Sequence, residues 1–247
     1  ENVLPAMLYR DMAPVLDTPV ILSPAEVTER NAARKPYLIP DDLVIGVTRN
    51  GQARAYPISI LNVHEIINDE LDGVPLAVTW HWPSGTMAVM DRSIGDTRPL
   101  LGVSGLVSHG NMLLYPRREG PERGGEPLIS QARHRSITGP DVTLERVPHE
   151  VVRWEDWVAR YPETSVVAPV PDLKQRYKKG KPDVWFASSQ LMFGVAEPAF
   201  GPGPKEAVMI VTGPTGQHVL PLEALNAIAD SQGRANVTLD DQPLTIL

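Results

Sequence analysis

The chain contains no cysteine in its 247 residues, which excludes disulfides, zinc ribbons, iron–sulfur ligation and thiol catalysis. Basic side chains are outnumbered: 23 Lys and Arg against 30 Asp and Glu leave a formal charge of −7. A sequence-independent nucleic-acid binder needs a basic surface to displace counterions from phosphates, so that class is excluded too. No apolar run approaches the length that spans a bilayer, and any membrane attachment is therefore expected to be peripheral. No signal peptide is visible, and the start at Glu1-Asn2-Val3 rather than Met is compatible with export of a processed chain. Phenylalanine is scarce, at 3 residues, whereas 25 prolines and 19 glycines punctuate short runs of Val, Ile and Leu. That composition favours short strands joined by ordered turns.

The stretch from Asp41 to Arg92 is the most informative. Leu43, Ile45 and Val47 alternate up to Asn50-Gly51, a dipeptide suited to a two-residue hairpin turn. Pro57 fits the first turn of a helix, and Ile60, Val63, His64 and Ile67 recur at spacings of three and four. The spacing predicts a helix over 58–68 with His64 facing inward. Asp72-Gly73 makes the next turn, Leu76 to Trp82 alternates as a strand, and Trp82-Pro83-Ser84-Gly85 reverses it into Thr86–Met90. The unit reads as hairpin, helix, hairpin.

Residues 1–40 hold an arm, Met7 to Val20, expected to lie across a surface of this chain or of a partner. A capped helix follows over 24–33, announced by the capping box Ser23-Pro24-Ala25-Glu26. The main unit occupies 41–168. Within it Leu100–Val103, Met112–Tyr115 and Val142–Val147 read as strands, Ser104 to Asn111 as a small-residue loop, and Arg117 to Pro127 as an exposed excursion. Trp154, Trp157, Val158 and Tyr161 share one face of a helix over 154–161, as core residues would. Residues 169–206 read as an extended linker or wrap. The segment 207–247 repeats the first unit: Thr212, Pro221, Leu225 and Asn226 match Thr48, Pro57, Leu61 and Asn62, and Asn236, Leu239, Asp240, Pro243 and Leu244 match Asn68, Leu71, Asp72, Pro75 and Leu76. Its helix falls at 222–229, and Ile228 stands where the first copy has His64. The expected fold is α+β and mostly β, with two related hairpin–helix–hairpin units in one continuous body, the second packed on the first.

Three segments of the first copy and its sequel carry a family resemblance: ARAYPISILNVHEIINDELDGVPLAVTW, LLGVSGLVSHGNMLLYPR, and then ISQ and ITGP. Together they resemble the bacterial family known as domain of unknown function 3179, from about Ile21 to Leu247. The resemblance implies that many relatives continue the strand after VTW as CPLCGT, a Cys-x-x-Cys beside the His-Glu pair that would serve metal or thiol-redox chemistry. Here His81 and Ser84 stand at those two positions, while His64, Glu65, Asn68 and Asp69 remain.

Two functional expectations follow. His64, His81 and His109 are candidate ligands for a transition metal such as Zn or Cu, with Glu65 and Asn111 as supporting groups. The bland alternative is a buried hydrogen-bonded His64, a His81 at a strand turn and a His109 in a loop. No catalytic residue is assigned: Ser104 and Ser108 lack the spacing of a nucleophile elbow, Gly201 to Lys205 offers prolines where a phosphate loop needs N–H donors, and Lys178-Lys179-Gly180-Lys181 reads as a solvated basic patch. Retention of the fold with loss of both cysteines points to a non-catalytic, periplasmic or otherwise extracytoplasmic binding or scaffold subunit. Its expected partners are protein subunits of a membrane-bound electron-transfer complex, respiratory or photosynthetic. The competing expectation is a metal-binding or metal-dependent redox protein built on the three histidines.

Overall fold

The computed structural model describes residues 3–5, 14–32, 36–118, 124–177, 185–193 and 201–246. It is α+β and mostly β, with short helices, and the two related units expected from the sequence fall in separate compact units. One comprises Glu1–Ala187 with Met192–Gly194, the other Ser188–Leu191 with Val195–Leu247. The basic cluster Lys178–Lys181 lies outside the described residues, as do the first half of the N-terminal arm and the middle of the Arg117–Pro127 excursion.

Three sheets build the first unit. The outer one orders its strands β12 (Glu150–Arg153), β3 (Leu43–Arg49), β4 (Gln52–Pro57), β13 (Ser165–Val167) and β2 (Ile21–Leu22). The middle one is the meander β5 (Ile66–Leu71), β6 (Val74–His81) and β7 (Thr86–Asp91). The third orders β1 (Val3–Pro5), β8 (Leu101–Ser108), β9 (Asn111–Pro116), β10 (Leu128–Ser130) and β11 (Arg135–Thr138). Three hydrophobic clusters cement these layers. Val44, Ala55 and Val166 pack under helices α1 (Pro24–Asn31) and α3 (Trp154–Arg160) through Val27, Trp154 and Trp157. Ile45, Val47 and Tyr56 meet Ile67, Val78, Trp80 and Val89 between outer and middle sheets, and Ile66, Ala77, Ala88 and Met90 meet Leu101, Met112, Leu114 and Ile129 beyond. The alternation along β3 thus feeds two different cores, as period-two side-chain placement requires. Gly46 is glycine for a steric reason: a Cβ there would run into the Trp157 ring.

Ser23 caps α1 as its spacing predicts, its side chain taking the Glu26 N–H while Glu26 reaches back to the Ser23 N–H at 2.8 Å. Helix α2 (Ile58–His64) is shorter than the expected 58–68, because Glu65 turns the backbone to φ +60 and Ile66 opens β5. Ile67 shares the helical spacing of Ile60 and His64 but sits on a strand; two consecutive β-branched residues followed by Asn favour that outcome. The Ser104–Asn111 loop is also corrected. Strand β8 continues through it with a register shift between Val103 and Val107 around Gly105 at φ +74, and only His109-Gly110 forms the turn. Val142–Val147 is no continuous strand: it pairs only through single bridges, Thr143 with Arg135 and Arg146 with Met90. Residues 14–17 of the arm bind their own unit, with Leu16 bridged to Ile67 and its N–H donated to the Ile66 carbonyl at 3.0 Å.

The second unit repeats the element order: hairpin β14 (Val208–Gly213) and β15 (Gly216–Pro221), helix α4 (Leu222–Ile228), hairpin β16 (Ala235–Leu239) and β17 (Gln242–Ile246). Its first hairpin keeps the register of the first copy, Val208 opposite Pro221 as Val44 is opposite Pro57. Each copy ties its two hairpins together with one aspartate at a positive-φ turn. Asp72 accepts from Asn50 at the tip of the first hairpin, and Asp240 accepts from Thr215 at the corresponding tip.

Candidate functional site

His81 ends β6, and Trp82–Ser84 form one turn of 3-10 helix closed by Gly85 in the left-handed region at φ +63. That turn brings the Ser84 hydroxyl to 2.7 Å from His81 Nδ1 and 2.9 Å from Thr86 Oγ1. Asn111, the first residue of β9, donates from Nδ2 to Ser84 Oγ at 3.1 Å and to Gln131 Oε1 at 2.9 Å, while its Oδ1 accepts the Ala132 N–H at 3.1 Å. Gln131 in turn donates to Thr79 Oγ1 and to the Thr86 carbonyl, both at 3.0 Å. Thr79 completes the chain by donating to the Ala88 carbonyl at 2.9 Å. His81, Asn111, Gln131 and Thr79 are buried, so these bonds satisfy groups that would otherwise be costly in the interior. Burial pushes the His81 pKa down to about 4, which holds the ring neutral at pH 7.

His64, the last residue of α2, is 3% exposed and spends both ring nitrogens inside the fold. Nδ1 donates to the Pro14 carbonyl at 2.6 Å, and Nε2 accepts from the Tyr177 hydroxyl at 2.8 Å. Tyr177 is itself held by the Val170 N–H at 3.2 Å. Burial lowers the His64 pKa, with a smaller contribution of the same sign from Arg176. The Glu65 carboxyl has no hydrogen-bond or ion-pair partner among the described residues, and burial alone pushes it up to about 7. Its backbone at φ +60 and ψ −34 is strained for a residue with a Cβ. His109 is exposed at the β8–β9 turn, with Nδ1 3.0 Å from Ser108 Oγ.

The structure therefore joins His81 to Asn111 through Ser84, and gives His64 and His109 partners of their own. Among the described residues no group of three or more His, Asp or Glu is arranged to hold a metal ion. An aromatic strap covers the turn. Trp185 meets Trp82 edge-on with centroids 6.1 Å apart and donates to the Pro83 carbonyl at 3.0 Å, Phe186 tilts against Trp80 at 6.5 Å, and Phe193 stacks on His81 at 6.4 Å. Trp185, Phe186 and Phe193, within the 169–206 stretch that reads from sequence as an extended linker, thus form part of this site.

Chemically, the arrangement places the Ser84 hydroxyl against an imidazole that burial holds neutral. A general base works best with a pKa near the operating pH, and His81 lies well below that. Gln131, Thr79 and Tyr177 were not singled out as site residues from the sequence, although Gln131 ends the ISQ motif that carried the resemblance. Comparison with curated proteins and with solved structures finds no match. A family model does match, over residues 10–247. With nearly its whole length covered, the chain belongs to the family described as protein of unknown function DUF3179.

Proposed function

We propose that the chain is a non-catalytic, extracytoplasmic binding or scaffold subunit, peripheral to a membrane-bound electron-transfer complex of respiratory or photosynthetic type. The observation that carries the non-catalytic part is the closure of the His81–Ser84–Asn111–Gln131 network. The two positions where the resemblance puts cysteines hold side chains bonded to each other and to the core, and His64 has both nitrogens occupied. Groups that would do chemistry in a relative are used here to hold strands together. Among the described residues no helix is long and apolar enough to cross a membrane. The electron-transfer setting rests on the redox chemistry that the Cys-x-x-Cys resemblance implies. The test is purification of the tagged full-length chain from gently solubilised native membranes. Co-purification with subunits of an electron-transfer assembly is the expected result, and a chain that emerges alone contradicts it.

A metal-binding or metal-dependent redox role through His64, His81 and His109 has one observation in its favour, the neutral state of His81, which is the ligating form of imidazole. Metal content of the purified chain, with and without His81→Ala, decides it. Stoichiometric metal lost on substitution establishes that role, and metal content indifferent to His81 ends it.

A further inference from the structure

His64 and Tyr177 meet as an imidazole and a phenol whose roles in their shared hydrogen bond are fixed by their other partners. The Pro14 carbonyl, 2.6 Å from His64 Nδ1, can only accept, so Nδ1 carries the ring hydrogen of the neutral imidazole. Nε2 keeps a lone pair, and the Tyr177 hydroxyl 2.8 Å away must donate to it. The Val170 N–H, at 3.2 Å, takes a lone pair of the same phenolic oxygen. A 3-10 turn over Pro171–Leu173 leads the chain from Val170 round toward Tyr177. The other described tyrosines have no such partner. Tyr37 donates to the Val167 carbonyl, Tyr56 donates to an Asp69 carboxylate that Arg54 already pairs, and Tyr115 and Tyr161 have no hydroxyl partner among the described residues.

From this geometry we infer that Tyr177 and His64 form a redox-active pair, a site where the chain gives one electron to a strong one-electron oxidant and takes it back. Loss of an electron makes a phenol strongly acidic, so oxidation is easiest where a base already waits on the O–H. In the forward step the oxidant removes one electron from the Tyr177 ring, the O–H bond breaks, and the proton forms a new N–H bond at His64 Nε2. The products are a neutral phenoxyl radical, an imidazolium and the reduced oxidant; the returning electron draws the proton back to oxygen. The 2.8 Å separation already lies within the reach that proton transfer to a base requires. The imidazolium keeps the Pro14 carbonyl as acceptor, which favours the charged ring, whereas burial and the Arg176 charge oppose it and drive the proton home. Tyr177 is half-buried, so an oxidant at the surface reaches its ring without entering the core. The inference stands apart from the reading of the chain as a binding subunit, because it is a property of the isolated chain.

The test oxidises the purified full-length chain with less than one equivalent of photogenerated tris(bipyridine)ruthenium(III). Radicals are followed by transient absorption and by electron paramagnetic resonance of freeze-quenched samples. The expected result is a tyrosyl signal whose formation slows in heavy water, the mark of a proton that moves with the electron. Tyr177→Phe, which keeps the ring packing, should abolish that signal, and Tyr37→Phe should leave it unchanged. His64→Gln still accepts the phenolic hydrogen bond but is no base, so it should slow radical formation about tenfold or more and remove the isotope effect. Radicals confined to tryptophan, a tyrosyl signal that survives Tyr177→Phe, formation indifferent to heavy water, or an unchanged rate in folded His64→Gln overturns the inference. Should His64→Gln fail to fold, the isotope effect in the unsubstituted chain and the Tyr177→Phe comparison decide it.

Discussion

Acid should loosen this protein well before its carboxylates are titrated, and the slope can be worked from the buried groups. His81 and His134 are 4% and 6% exposed, and burial takes each from the ordinary 6.5 to about 4. A base whose pKa is lowered by folding binds its proton better in the unfolded chain. Its stabilisation is therefore full above 6.5 and is lost as the pH falls toward 4. His64 acts in the same direction. Glu65 opposes them: its carboxyl is raised from 4.5 to about 7, so the folded form holds a proton that the unfolded chain releases, and its share of stability grows as the pH falls. Between pH 6.5 and 4.5 the unfolded state gains about two protons from the histidines and forgoes about one at Glu65. At about 1.4 kcal/mol per proton per pH unit the net loss is roughly 1–2 kcal/mol per unit. Urea unfolding at half-unit steps measures it. His81→Gln is expected to flatten the slope by about one proton's worth and Glu65→Gln to steepen it by the same amount. A slope that ignores both substitutions, or stability rising toward pH 4.5, refutes the reasoning.

Three substitutions probe the packing. Gly46→Val forces a side chain into the Trp157 ring and should cost about 1–3 kcal/mol by denaturant midpoint, with part of the loss recovered on adding Trp157→Leu. Gln131→Leu takes a donor from the Thr86 carbonyl and from Thr79 and an acceptor from Asn111, so unfolding should be easier by about 2–4 kcal/mol; a change under about 0.5 kcal/mol means the network is not structural. Ser23→Ala removes the α1 cap, and a loss of about 1 kcal/mol in the same assay is expected, whereas Ser23→Asp should be nearly neutral.

Much of the fold was legible because local rules and tertiary packing agree. Asn50-Gly51 and Asp72-Gly73 adopt the two positive-φ positions that their hairpins require, and Ser23 and Glu26 form their reciprocal cap. The helix end at His64 was not legible, since Ile67 continues the helical spacing while pairing with Val78 across a sheet. Periodicity cannot tell a residue that ends a helical face from one that starts a strand. Bulges hide in the same way. The Ser104–Asn111 segment looks like a loop by composition, yet β1 and β9 flank it as strand partners.

The site was legible only in part. His81 and Asn111 were named from motifs, but the hydrogen bonds that join them run through Ser84 and Gln131, with residues 111 and 131 twenty apart in the chain. Convergence of that kind is a property of strand register between sheets, which no single segment encodes. Leu16 of the N-terminal arm, which is expected to lie across a surface of this chain or of a partner, pairs with β5, and Val3–Pro5 ahead of the arm pair with β8. Deleting residues 1–20 would therefore remove pieces of two sheets of the first unit, so that deletion is a poor probe of docking.

The central question is whether the folded chain works as part of an assembly. Size-exclusion chromatography of tagged, full-length chain extracted from native membranes, with quantitative mass spectrometry of the peak, addresses that most directly. The predicted result is elution with membrane-bound electron-transfer subunits in fixed ratio, unchanged by His64→Ile or His81→Ala once the variants are shown to be folded. Elution as a lone monomer, or an association abolished by either folded histidine variant, contradicts it.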